Sequence, residues 1–343
     1  MPPELILIVL CAVPLARLLR PQGRLTDQAT AIVVPGLFVA FTLMMALGYV
    51  HTPDALFGDA RIYFRATDAW LRGEDPWAST YLGTPFAGWP PTLLLSIPFI
   101  PFGEKAAVIA WPVLDILAAA YVVRRVGLTW WWVLFPPFVA AWFPASPDLA
   151  LVALVYVGGG AISALTKPYA IPAMLGVGRW VPVLAAGLCV VLSAPVLPWG
   201  TFFAHRAVIE QQLQAWSLTP TLWGTVWMPI AVLAVISLGT RLGLLLATPV
   251  LWPVGGQLHY AAFSIEAAAA LPLVAIGFAL VDWNGIPISI CVMGAVFGLK
   301  RVRQCARSRK VAVVEARDHR QSTTAMIDAR QPDDEDVRCS FQA

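Results

Sequence analysis

The chain has 343 residues, 59% hydrophobic and 13% charged, with a mean hydropathy of +0.72. Soluble domains carry roughly 25% charged residues, so a water-soluble globular protein is excluded. Residues 300–343 hold ten basic and seven acidic side chains while the first 299 positions hold thirteen of each sign; the net charge of +3 therefore belongs to the tail, and a nucleic-acid partner is excluded too.

In chain order, apolar runs lie at about 4–19, 29–50, 91–102, 106–123, 127–143, 147–165, 168–178, 181–199, 222–239, 242–253, 260–281 and 286–299. The first ends in Arg17 and Arg20 without a small-residue cleavage site and reads as a membrane segment, not a removed leader. A full helical crossing needs ~20 residues, so several runs are short. Their Pro and Gly breaks, such as Gly158-Gly159-Gly160, predict half-helices that line a cavity, the one place where irregular backbone is tolerated at membrane depth. The expected fold is an all-α polytopic membrane bundle of about 10–12 hydrophobic helices spanning 1–299, followed by a polar, disordered, cytoplasmic tail at 300–343.

Basic residues cluster at Arg17, Arg20 and Arg24, at Arg124 and Arg125, at Arg179, at Arg241 and at Lys300 to Arg303, and mark the cytoplasmic side. The connections 51–90 and 200–221 then face outward, provided 91–102 does not cross and 147–166 folds as a dipping pair. The last run, of only 14 residues, is expected to lie tilted or in the interface.

Residues 51–90 carry eight charges, more than any other connection of the body. Within them Tyr63, Ala66, Trp70 and Leu71 recur at helical spacing, which predicts an amphipathic helix over 60–72 on the membrane surface, ended by Gly73. Asp59 stands at its start and has two compatible readings, a cap that accepts a backbone N–H and a carboxylate available for chemistry. Asp54, Asp68, Glu74 and Asp75 read as a solvated face and turn. Lys167 is the only Lys or Arg between Arg125 and Arg179, in a stretch where a charge costs ~3 kcal/mol. It reads either as a side chain snorkelling from a helix end or, beside the helix-breaking Pro168, as part of a cavity. The second outer connection places Phe202, Ile209, Leu213 and Trp216 at helical spacing among His205, Arg206 and Glu210, which predicts an interfacial helix. Cys11, Cys189 and Cys291 lie in apolar runs and Cys305 and Cys339 in the tail, so no disulfide framework, metal site or redox cofactor is expected.

Gly58-Asp59, Tyr63, Trp70-Leu71, Gly73, Asp75-Pro76-Trp77 and Trp89-Pro90-Pro91, then Lys167-Pro168 with Arg179-Trp180, then Pro249 to Trp252 with His259-Tyr260, form an ordered series over about residues 30–281. The series resembles the GT-C polyprenyl-phosphate-sugar glycosyltransferases, and among them the mannosyltransferase-like glycosyltransferase family 87. The resemblance implies inverting transfer of a sugar, mannose or a related pentose or hexose, from a polyprenyl phosphate to a glycolipid, glycan or protein acceptor on the extracytoplasmic face of the cell membrane. It implies Asp59 as catalytic base. Lys167, His259, Arg61 and Arg65 are then expected at the donor phosphate, and Tyr63, His205, Arg206 and Trp216 at the sugar or acceptor. No metal and no cofactor beyond the lipid-linked donor are expected. The rival class is a transporter or lipid flippase, which predicts ionisable pairs buried at mid-membrane, with Asp115 and Glu266 as its candidates; a third reading is a degenerate, non-catalytic family member kept as a scaffold or partner subunit.

Overall fold

The computed structural model describes residues 24–215, 228–252, 257–280 and 286–300, together with 302 and 304. The membrane segment expected at 4–19, Trp216, and nearly all of the tail lie outside the described residues. Contacts divide the chain into Met1–Ala295 and Val296–Ala343; the first unit holds both sites described below.

The fold is all-α apart from one two-residue hairpin. Helix α1 (Arg24–His51) is followed by α2 (Gly58–Leu71), and a short 3-10 turn at Pro76–Ala78 leads to antiparallel strands β1 (Thr80–Tyr81) and β2 (Thr84–Pro85). A 3-10 helix then runs from Pro90 to Phe102, and α3 (Glu104–Val126) follows. Prolines at 90, 91, 98 and 101 withhold backbone donors from that segment, so it takes the tighter form and does not become an α-helical span. Two stretches, Ala31–His51 and Glu104–Val126, are long and apolar enough to cross a membrane. Both turn large apolar side chains outward, among them Leu43, Leu47, Ile109 and Leu117, an outer face suited to hydrocarbon.

Short helices fill the rest: α4 (Pro136–Trp142), α5 (Asp148–Val157), α6 (Gly160–Thr166), α7 (Ile171–Gly176), α8 (Trp180–Leu192) and α9 (Trp199–Ala215). Beyond residue 227 come α10 (Met228–Leu238), α11 (Thr240–Leu251), a 3-10 segment at Leu258–Ser264, α12 (Ile265–Ala270), α13 (Pro272–Ala279) and α14 (Ile286–Lys300). A ten-residue helix is ~15 Å long, half a bilayer. The stretch 147–166 forms such a pair, α5 and α6, turned at Gly158 with φ +99° and tied by Ser163 Oγ donating to the Leu151 carbonyl at 2.7 Å.

Helix α2 departs from expectation. A helix resting on the surface would show one polar face, yet Ala60, Ile62, Phe64, Ala66, Thr67 and Ala69 are all buried, while Leu71 is 51% exposed. The reason is that α2 lies between two apolar clusters. Ile62, Tyr63 and Ala66 pack with Trp77, Phe86, Leu93 and Ile209 on one side; Ala60 and Phe64 pack with Ala107, Trp111 and Ala145 on the other. Ile209 belongs to α9, so a helix forms in the second connection and one of its faces covers the first loop. Thr67 on α2 also donates to the Leu93 carbonyl at 2.8 Å.

Helices α10 and α11 fold back on each other at Gly239, φ +86°. A Cβ on Gly243 would stand 2.2 Å from the Val235 carbonyl oxygen, whereas one on Gly187 would meet nothing within 4 Å. Gly243→Ala should therefore cost about 1–3 kcal/mol through forced backbone displacement, read as a lowered Tm in detergent. Gly187→Ala should hold or raise Tm through helix propensity.

Candidate functional site

Asp59 occupies the first turn of α2, where its own N–H donates to the Pro144 carbonyl at 2.9 Å. The residue ahead of it, Phe57, has left-handed backbone (φ 59°) and donates to the Phe143 carbonyl at 2.9 Å. Together these bonds seat the helix start on the turn that follows α4. No side chain caps α2, so the Asp59 carboxylate is not spent on capping; it lines a cavity of about 440 Å³.

Lys167 enters that cavity from the break between α6 and the Pro168–Ala170 turn and is only 6% exposed. Its Nζ donates to the Tyr63 hydroxyl and lies 3.9 Å from Asp148 Oδ2, with the Tyr63 and Tyr169 ring centres at 4.9 and 5.5 Å. The backbone beside it is fixed from the first loop: the Thr166 carbonyl accepts from Trp89 Nε1 at 2.7 Å and from Thr92 Oγ1 at 2.8 Å. A snorkelling side chain would reach outward, whereas this ammonium is held inward.

Asp148, fully buried at the first turn of α5, organises Lys167 and His259. It accepts from Ser146 Oγ at 2.5 Å and from the Tyr169 hydroxyl, and His259 Nε2 lies 3.4 Å from Oδ2. Tyr169 in turn stacks on Tyr260, centroids 3.9 Å apart. Sequence inspection passed over Asp148. A signal was there: it is the only Asp or Glu between Asp115 and Glu210, the same isolation that drew attention to Lys167.

Burial pushes the Asp59 carboxyl up to about 6; Lys167 works against the shift and Asp148 adds to it. At neutral pH it is an ionised group with a strengthened affinity for a proton. Burial pushes His259 down to about 4, with Asp148 opposing and Lys167 reinforcing, so the imidazole is neutral and offers one N–H.

The cavity thus gathers Asp59, Tyr63, Lys167, Arg206 and His259 from the residues singled out in the sequence. Arg206 stands at its exposed edge, paired with Glu210 at 2.6 Å. Arg61 and Arg65 are drawn elsewhere: both bind Glu104, Arg65 Nε at 3.0 Å and Arg61 Nη1 at 3.4 Å, and both lie over the Tyr81 ring. His205 also stays outside, 3.2 Å from Asp75 Oδ2 and stacked on Trp77. Asp68 and Glu74 pair with Arg72, and Asp75 accepts from the Trp77 N–H at 2.9 Å, the solvated and turn-forming roles expected of them. Among the described residues no group of three or more His, Cys, Asp or Glu is disposed to hold a metal ion.

No protein-family model, curated protein or solved structure matches this chain.

Removing Asp148 leaves Lys167 with a neutral neighbour in a dry site. Asp148→Asn should cost about 3–5 kcal/mol, measured by thermal or denaturant unfolding in detergent, and Asp148→Asn combined with Lys167→Met should recover part of the loss. Equal damage in the single and double variants would mean that the two charges do not depend on one another.

Proposed function

We propose that the chain is a multi-pass membrane enzyme of GT-C-like organisation that transfers a sugar from a polyprenyl phosphate to an acceptor hydroxyl, with the site on the extracytoplasmic face. The observation that carries this reading is the juxtaposition in one cavity of an uncapped carboxylate of raised proton affinity, Asp59, with a buried ammonium, Lys167, and an N–H from neutral His259.

The chemistry needs those groups. An acceptor hydroxyl is a weak nucleophile until its proton is taken as the new bond forms; Asp59 accepts that proton while the oxygen bonds the anomeric carbon. The anomeric carbon–oxygen bond breaks on the opposite side, its electron pair leaves with the lipid phosphate, and displacement in a single step inverts the centre. Charge accumulating on the phosphate is met by Lys167 and His259 in a poorly hydrated wall. Tyr63, which holds Lys167, and the rings of Phe86, Trp89 and Tyr260 offer apolar faces to a sugar or to the first isoprene units. Arg206 and Glu210 at the rim suit a polar acceptor.

The rival transporter reading predicts paired ionisable groups at mid-membrane. Asp115 does lie midway along α3 and is fully buried, but no described cation pairs with it. Glu266 is paired, with Arg241 at the start of α11. Lys167 and Asp148 are a buried pair as well, but they stand beside Asp59 at the first cavity, where a leaving phosphate needs a cation, and that placement favours the transferase.

Asp59→Asn should lower turnover of a labelled lipid-linked sugar by about 10²–10⁴ with expression and Tm retained. In the wild type, activity should rise with pH through about 6 as Asp59 loses its proton. Full activity in the Asn variant, or a flat profile from pH 5 to 8, would remove Asp59 from the chemistry.

A further inference from the structure

A second cavity, of about 760 Å³, lies at the other end of the same helices. Helix α3 starts at Glu104, which holds the first-loop arginines, and reaches Arg125 in the second cavity 21 positions later, about 32 Å of helix. Helix α5 begins at Asp148 and brings Tyr156 to the second cavity; α11 begins there with Arg241 and is followed by Trp252 in the first. The eight positions from Asp148 to Tyr156 and the eleven from Arg241 to Trp252 put about 12–17 Å of helix between the two cavities, which share no lining residue.

Three arginines from three separate elements line it. Arg125 lies in the last turn of α3, which is closed by Gly127 (φ +77°) and a Leu128 N–H to Val123 carbonyl bond of 3.0 Å. Arg179 follows α7, closed in the same manner by Gly178 (φ +75°) and an Arg179 N–H to Met174 carbonyl bond of 2.9 Å. Arg241 joins them because α7 presses on α11: a Cβ on Gly176 would stand 3.0 Å from the Arg241 carbonyl. Both Arg179 and Arg241 lie within electrostatic reach of the Tyr156 hydroxyl.

The charges do not cancel. Glu266 accepts from Arg241 Nη2 at 2.5 Å and from the Tyr156 hydroxyl at 2.8 Å, which neutralises Arg241 and fixes its direction. Arg125 and Arg179 have no carboxylate partner among the described residues, so the cavity carries two uncompensated positive charges. Attraction of basic residues to the ends of helices accounts for charge in this region but not for convergence; Arg124 and Arg125 are both exposed and share the last turn of α3, yet only Arg125 lines the cavity.

We propose that this cavity binds a phosphate monoester. Two guanidinium forks match the two negative charges and the oxygen geometry of such a group, better than the single charge of a phosphodiester. The aliphatic part of the wall, Val126, Leu128, Val155 and Val177, leaves room for an apolar chain attached to the phosphate. The proposal is independent of the transferase reading.

The test uses the full chain in detergent, titrated with dioctanoyl phosphatidic acid, with dioctanoyl phosphatidylglycerol and with inorganic phosphate, bound lipid being counted by native mass spectrometry. Phosphatidic acid should bind about tenfold or more tighter than phosphatidylglycerol. R125Q/R179Q should remove that preference and R124Q should leave it intact. R179K, which keeps the charge and spares the fold, should weaken binding several-fold through loss of the fork. Competition by inorganic phosphate assigns the site to the phosphate group alone, and its failure to compete assigns it to a lipid-borne monoester; either upholds the proposal. Equal affinity for the two lipids, or unchanged binding in R125Q/R179Q and R179K, overturns it in favour of general attraction between a basic surface and anionic lipid.

Discussion

The buried attraction between Lys167 and Asp148 is the constraint on which the rest of the site depends. Neither charge can lose its partner in a low-dielectric wall without a cost of several kcal/mol, and each is 7% exposed or less at its side chain. Four elements are arranged to keep them together: α5 supplies Asp148 at its first turn, the α6 break supplies Lys167, α2 supplies Tyr63, and the Leu258–Ser264 segment supplies His259. Asp148 is engaged by Ser146, Tyr169, Lys167 and His259, whereas the second carboxylate, Asp59, faces the cavity. Two acids beside one ammonium are thus separated into different roles by their neighbours alone, one clamped by hydroxyls and the ammonium and one left with a raised affinity for protons.

How much of this was legible in the sequence follows from what isolation and periodicity can report. Lys167 stood out because a charge in an apolar chain is costly and therefore conspicuous; Asp59 was marked by its place at a helix start and by the family-like series. His259 and Tyr63 came from the family-like series. The all-α fold and the short, broken helices followed from run lengths and from Pro and Gly. Periodicity failed at α2 because it registers which side chains are apolar, not how many neighbours arrive: Thr67 looks solvent-facing until the Leu93 carbonyl, 26 positions away, is seen to accept from it.

Pairing was the other blind spot. Arg61 and Arg65 suit a phosphate by type, but Glu104 lies 43 and 39 positions downstream and takes both. Asp148 escaped notice because its partners, Lys167, Tyr169 and His259, are remote in sequence and meet only where α5, α6 and the Leu258–Ser264 segment converge. Charge type limits what a residue can do; the fold decides which opposite charge it finds first.

The Thr166 carbonyl, with both of its lone pairs engaged by Trp89 and Thr92, has a consequence for biosynthesis. The two donors precede their acceptor by 77 and 74 positions. At about 5–20 residues per second of translation, the first loop must wait roughly 4–15 s for the segment that completes it, while α3 to α6 are still being made. During that interval the indole of Trp89 and the apolar surface around it have no final partner, so the nascent loop is the stretch most exposed to mispairing or to capture by an insertion factor. The cavity wall around Trp89 and Lys167 is therefore completed late, and later still where Arg206 and His259 join it.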